Sequence, residues 1–302
     1  MTALSISVVI PAFNATATLA RAIASVRAQV FDGEAEIIVA DDASRDGTAA
    51  LAESLGARVV RLNQNGGPAV ALKAGIEAAR HDLVAFLDAD DEWLPGKLAA
   101  QVAALRAMPD AVIVATAFTR VDRDGHRLWT YGDAPFAHGP HDFWKVLLAD
   151  SAILKSSALC RREAVLASGA LDSGLRSGED QLLFQALAAT GPVAYVPEPL
   201  VLYHDQPGSL TDRVPAASVS ATLARHLAAI DRMAGRLTPA ERRAIEGKRY
   251  AEAANGLVAA RAWGPAIAAT VRAIAAGEAV APQLWRLLTN LPPVRGLKRL
   301  VR

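Results

Sequence analysis

The chain has a single cysteine, Cys160, among its 302 residues. No intramolecular disulfide can form, a cysteine-rich zinc site is excluded, and a reducing compartment is expected. No apolar run reaches the roughly 18 residues that read as a membrane-spanning helix. The opening "MTALSISVVI" enters a strand pattern directly, without the basic start and small-residue cleavage site of a signal peptide. A cytoplasmic location is therefore expected, with attachment to the inner face of the cell membrane left open. An excess of either charge is also missing. A net charge of +1 lends no support to nucleic-acid binding through a basic surface. Two phosphate-binding fingerprints are lacking as well, GxGxxG and GxxxxGK[ST], so any nucleotide site must work differently from both.

The composition, 52% hydrophobic and 21% charged, can bury one large core or two smaller ones. Its near-zero charge hides an asymmetry. Residues 1–100 carry 13 Asp or Glu against 8 Lys or Arg, and the remainder 18 against 24, so the acidic first third suits a cation. The first 120 residues alternate β-branched runs with Ala-rich stretches, the pattern of a parallel sheet covered by helices. Strands are predicted at 6–10, 36–40, 58–62, 83–87 and 111–118, and helices near 16–29, 47–55, 68–80 and 94–107. Ser44 or Asp46 would cap the second helix. A further helix is predicted near 179–189. The doubled Pro-x-Pro of "PVAYVPEPLVLYH" argues for an irregular extended path rather than a central strand. Beyond 215 the chain reads as a helical appendage.

Negative charge collects where strands turn into loops, the usual ligand edge of an open α/β sheet. "FLDADDEW" places Asp88, Ala89, Asp90 and Asp91 directly after an apolar run. On strand periodicity, Asp88 and Asp90 face one site and Asp91 turns aside to serve the loop or the next helix. Paired hard oxygen ligands suit Mg²⁺ or Mn²⁺. "VADDAS" sets Asp41 and Asp42 at another strand end, where carboxylates can accept hydrogen bonds from a base or a ribose, or make local turn and cap bonds. Asp42 is the first candidate for ligand binding and Asp41 the second. "VIPAFN" ends the first strand with Phe13, whose ring would meet a base or the core. The turn in "NQNGGPAVALKAG", Gly67 included, could present backbone N–H groups to a phosphate at a helix start.

"SVVIPAFNATATLARAIASVRAQ", "IIVADDASRDGT", "NQNGGPAVALKAGI" and "LVAFLDADDEWLPGKL" occur in the order and spacing of a family 2 glycosyltransferase. The chain resembles the bacterial members that build exopolysaccharides and related surface glycans, over residues 5 to about 210. The resemblance implies a GT-A fold, a Rossmann-like, mostly parallel sheet flanked by helices. It sets a transferase domain at 1–212, with a nucleotide-binding half to 118 and an acceptor half from 119, and a helical region at 213–302. The activity implied is inverting, metal-dependent transfer of a sugar from a nucleotide diphosphate sugar, a UDP-sugar first among them, to a glycan or lipid-linked acceptor hydroxyl.

By the same resemblance Pro11, Ala12, Phe13, Asp41, Asp42, Gly67, Lys73, Asp88, Ala89 and His204 bind the donor. Asp88, Asp90 and His204 hold the Mn²⁺ or Mg²⁺. "LRSGEDQLLFQAL" supplies Asp180 as general base, with Glu179 beside it oriented to the acceptor. Two departures stand out. Leu72-Lys73 replaces the Arg-Asn of many relatives, leaving a point charge where a bidentate contact was available. Gly169-Ala170-Leu171-Asp172 replaces Gly-Gly-Phe-Asp and loses an aromatic ring on the acceptor side.

Two other readings remain, a sugar-phosphate nucleotidyltransferase and a non-catalytic binding protein of the same fold. The absence of glycine in "PAFNATATLAR" counts against the first, and the paired acids count against the second. The tail "QLWRLLTNLPPVRGLKRLVR" carries Arg286, Arg295, Lys298, Arg299 and Arg302 without an acid, a pattern that could lie on an anionic membrane or be a solvated helix end.

Overall fold

The computed structural model describes residues 4–122, 124–131, 141–173, 178–205 and 215–279. The basic tail and the "PGSLT" segment after His204 lie outside these residues. The chain falls into two compact units, Met1–Leu147 with Ser151–Pro207, and Leu148–Asp150 with Gly208–Arg302.

The first unit is built on a nine-stranded sheet. Its strands are β1 (Leu4–Ala12), β2 (Gly33–Asp41), β3 (Arg58–Arg61), β4 (Leu83–Phe86), β5 (Glu92–Trp93), β6 (Ile113–Val121), β7 (Arg127–Tyr131), β8 (Leu159–Arg161) and β9 (Val193–His204). They run in the order β3-β2-β1-β4-β8-β6-β9-β5, with β7 paired to β6. The helices are α1 (Leu19–Arg27), α2 (Thr48–Ser54), α3 (Pro68–Ala78), α4 (Lys97–Ala107), α5 (Phe143–Ala149), α6 (Arg162–Ala167) and α7 (Glu179–Ala188).

β1 to β4 pair in parallel, whereas β8 enters antiparallel to both β4 and β6, so the sheet is mixed rather than mostly parallel. Central β1 is covered on both faces, which is why "ISVVI" is apolar on both sides of the strand apart from Ser7, whose hydroxyl donates to Glu36. Ile6, Val8 and Ile10 share a core with Leu19, Ile23 and Val26 of α1. On the other face α3 comes so close that a Cβ on Gly75 would lie 2.4 Å from Val9 Cγ1. That approach brings the Gly-rich turn to the ends of β1 and β2.

One expectation fails here. The Pro-x-Pro segment forms a twelve-residue strand inside the sheet, between β6 and β5. Register shifts absorb the prolines. Val196 lies opposite Thr116 and Pro199 opposite Ala117, so Pro197 and Glu198 bulge out of the ladder, and pairing resumes beyond them.

The second unit contains α8 (Ala216–Arg232), α9 (Pro239–Ala259) and α10 (Trp263–Ala275). A reciprocal capping box between Thr238 and Glu241 starts α9. Ala254, Leu257, Ala266 and Ala269 form a core of small side chains between α9 and α10. Buried Arg249 donates to the carbonyls of Leu148 and Asp150, at 2.6 and 3.3 Å, which ties that short stretch into this unit.

Candidate active site

Because β1, β2 and β4 are parallel, their carboxyl ends share one edge. Pro11 and Ala12 are buried at the end of β1, in register with Ala40 and Asp41. Phe13, which sequence left between base and core, is 51% exposed and is not a core residue. The loops after β1 and β2 are laced together. Asn14 N donates to Ser44 Oγ and Ala15 N to Thr48 Oγ1, while Asp46 accepts from Thr16 and from the first residue of α2.

The aspartates of this edge are engaged with the protein. Asp41 accepts from Ser44 N at 3.2 Å and lies 3.4 Å from Arg61 Nε. Asp42, 3% exposed, accepts from Gly66 N at 2.7 Å and Gly67 N at 2.8 Å. The carboxylate expected on the nucleoside and an N–H expected on a phosphate are thus turned on each other. Lys73 pairs with Glu77 at 3.8 Å, one turn along α3.

Residues 87–91 do not continue a strand; they form a turn between β4 and β5, so strand alternation does not order them. Asp91 is fully buried. Its carboxylate accepts from Ser156 Oγ at 2.5 Å and from His204 N at 3.3 Å, which corrects the expectation that it serves its own loop or the helix behind it. Burial, with Asp88 and Asp90 alongside, holds its carboxyl well above the usual range, opposed by those two hydrogen bonds. Asp88 and Asp90 are both partly exposed. Burial, and after it the neighbouring Asp88, push the Asp90 carboxyl up to about 6.

Glu179 and Asp180 open α7 behind Gly178, whose φ of +76° is the left-handed turn that glycine adopts without steric cost. Their carboxylates sit in the first turn, where the helix dipole favours negative charge. Burial, and then Glu179, still push the Asp180 carboxyl up to about 7, against the pull of Lys155.

Lys155 is the member that sequence reasoning missed. Only 7% exposed, it reaches Asp88 Oδ1 at 2.8 Å and Glu179 Oε1 at 3.3 Å, joining the turn after β4 to the start of α7. Burial pulls its pKa down, but Asp88, Glu179 and Asp180 outweigh that and hold it above its ordinary value. A signal was present: in "AILKSSALC" one lysine stands among apolar and small residues, and a buried lysine needs carboxylate partners. Ser156 was missed too. Besides holding Asp91, its hydroxyl accepts from Asp88 N at 3.0 Å and its carbonyl from Trp93 Nε1 at 2.7 Å.

Asp88 and Asp90 fit a hard divalent cation: two neighbouring carboxylates, Asp88 close enough to raise Asp90, with a single ammonium in contact. His204 does not complete that set. Its Nε2 lies 3.4 Å from Glu92 Oε2, and burial, then Arg21, hold its pKa below the ordinary value. Among the described residues, the Asp, Glu, His or Cys side chains that bring three ligand atoms within 4.8 Å of one another are Asp122, Asp124 and His126, on the turn between β6 and β7.

No helix among the described residues is long and apolar enough to cross a membrane.

Comparison with known proteins gives a consistent set. The profile of Glycosyl transferase family 2 matches residues 7–155. Succinoglycan biosynthesis protein ExoO of Rhizobium meliloti (strain 1021) is 33% identical over 225 residues, 68% of this chain and 62% of that protein. ExoU of the same organism, also a succinoglycan biosynthesis protein, is 37% identical over 131 residues, 39% of this chain and 38% of its own length. The matched region thus spans less than two thirds of either relative. Among solved structures, S. aureus TarS 1-349 in complex with UDP-GlcNAc superposes with a TM-score of 0.67 at 16% identity, over 99% of this chain and 93% of that one. The mannosyltransferase PcManGT from Pyrobaculum calidifontis, in complex with GDP-Man and Mn²⁺, gives 0.55 at 21% identity, over 97% and 82%. At these identities the likeness is one of fold.

Proposed function

The chain carries a glycosyl transferase family 2 domain on a GT-A fold, and from that premise we propose that it transfers a sugar from a nucleotide diphosphate sugar to an acceptor hydroxyl, with inversion, in the assembly of a polysaccharide or surface glycan. One observation carries the reading: Lys155 ties Asp88, of the turn after β4, to Glu179, beside the candidate base. Donor-side and acceptor-side acids, far apart in sequence, share one charged cluster.

In this reading Asp180 accepts the proton of the acceptor hydroxyl as its oxygen attacks the anomeric carbon and the bond to the diphosphate breaks. Attack opposite the leaving group inverts the centre. A carboxyl poised at about 7 is ionised in a useful fraction near neutrality and is basic enough to take the proton. Glu179 holds that poise and orients the acceptor. Asp88 and Asp90 would hold Mn²⁺ or Mg²⁺, which supplies Lewis-acid stabilisation of the departing diphosphate. Exposed Phe13 would stack on the base, and Asp42, Asp41, Pro11, Ala12, Gly67, Ala89 and Lys73 line the donor edge.

A UDP-sugar is the donor class to test first, by analogy with the UDP-GlcNAc complex of TarS. The acceptor is a glycan or a lipid-linked glycan. The proposal extends to contact of the basic tail with an anionic membrane surface, and undiminished liposome binding after removal of residues 283–302 rules that out. The decisive experiment is Asp180→Asn. Turnover should fall by about 10²- to 10⁴-fold, the usual worth of a general base, while nucleotide-sugar binding with Mn²⁺ is retained. Unchanged turnover sinks the assignment.

A further inference from the structure

Lys155 and its neighbours sit on a rigid support. The one-turn 3-10 helix Lys155–Ser157 is pinned at two residues: Ser156 by Asp88, Asp91 and Trp93, and Ser157 O by Gln101 Nε2 at 2.9 Å. The turn therefore keeps the ammonium within reach of two acids, which compete for it. One is Asp88, a proposed cation ligand, and the other is Glu179, next to the proposed base. A carboxylate oxygen that an ammonium holds at 2.8 Å is withdrawn from a second cation, because the two positive charges repel at contact distance.

We propose that Lys155 is a positioning residue that competes with the divalent cation for Asp88, so that loading the donor side shifts its ammonium onto Glu179 and sets the charge beside the base. The inference rests on the reading of Asp88 and Asp90 as cation ligands. It assigns to this chain a lysine-gated cation site in which the resting counter-charge is part of the protein. Donor loading and acceptor activation then share one movable charge, carried over a short distance by a long side chain.

The test titrates Mn²⁺ into the full-length chain without donor or acceptor, by calorimetry. Lys155→Met should bind Mn²⁺ more tightly by about tenfold or more, since a unit charge at contact distance is worth at least that when partly screened. Lys155→Arg, which keeps the charge, should stay near the wild-type affinity. Glu179→Gln should act in the opposite direction and weaken Mn²⁺ binding, because the ammonium is then left to Asp88 alone. A general loss of packing cannot tighten one variant and weaken the other, and the Glu179→Gln arm stands even if Lys155→Met folds poorly. Equal Mn²⁺ affinity in wild type and Lys155→Met, with binding lost in Asp88→Ala, overturns the inference and leaves the cation site intact. Undiminished binding in Asp88→Ala overturns the cation site as well.

Discussion

The edge of the sheet carries two acidic groups that look alike in sequence and differ in chemistry. Asp42 and Asp46, after β2, receive backbone N–H groups: two for Asp42, from Gly66 and Gly67, and two for Asp46, from Thr16 and Thr48. Hydrogen bonds from Thr48 and Thr16 take the Asp46 carboxyl down to about 2 despite the opposing effect of burial. Asp90 and Asp180 belong to a cluster of carboxylates that one ammonium partly neutralises, and both are pushed up, to about 6 and about 7. Asp46, given N–H and hydroxyl donors near the surface, settles as an anion, and Asp42 works as a structural acceptor. A carboxylate buried beside other carboxylates, as Asp90 and Asp180 are, is left wanting a proton or a cation despite the N–H and the ammonium that act on it, the condition that catalytic and metal sites exploit.

The largest break in that contrast comes from Asp42→Ala. Two N–H groups lose their acceptor, and the chain should lose about 3 kcal/mol of stability, read as a lowered denaturant midpoint. A loss below about 1 kcal/mol would put Asp42 back among groups free to serve a ligand alone.

Next in size is the pH profile of transfer. In the proposed reaction Asp180 acts ionised, so turnover should fall about tenfold per pH unit below about 7 and level off above it. Glu179→Gln removes the repulsion that helps raise this group, and the acid limb should move to lower pH. An acid limb that does not move detaches Glu179 from the base.

Asp90→Asn sharpens the comparison from the stability side. The folded-state pKa is raised above the unfolded value, so the penalty is absent below about 4 and fully present above about 6. In metal-free buffer at pH 8 the variant should therefore be more stable than wild type by about 1 kcal/mol, discounted for partial exposure, and at pH 4 the difference should vanish. Destabilisation at pH 8 would show that Asp90 makes a structural contact.

The smallest effect concerns backbone. Ala43, in the loop after β2, has φ +58°, a left-handed conformation that costs a residue with a Cβ about 1 kcal/mol. Ala43→Gly should stabilise by about 0.5 kcal/mol, the remainder being offset by the freer unfolded chain. A loss of stability would mean that the Ala43 methyl packs usefully.

Much of the fold was legible because its signals are local. Each strand predicted before residue 120 is present within a few residues, since β-branched runs between Gly- or Pro-marked turns depend on neighbours in the chain. The twelve-residue β9 was not legible. Proline counts against a central strand on local grounds, and only pairing with β6 revealed the bulge that accommodates it. Among site residues, the acids stood out by type and spacing. Lys155 and Ser156 did not, because neither belongs to a motif and their partners lie 24 to 68 residues away.

By itself the sequence determined the alternation of strand and helix, the placing of acids at strand ends and at the start of α7, and through its motifs the family. Tertiary structure alone decided what each carboxylate meets. Asp42 was assigned to Gly66 and Gly67, Asp91 to Ser156 and His204, and Asp88 with Glu179 to Lys155. The reason is range: strand and helix propensities act over a few residues, whereas burial and charge depend on whatever the fold brings within a few ångströms.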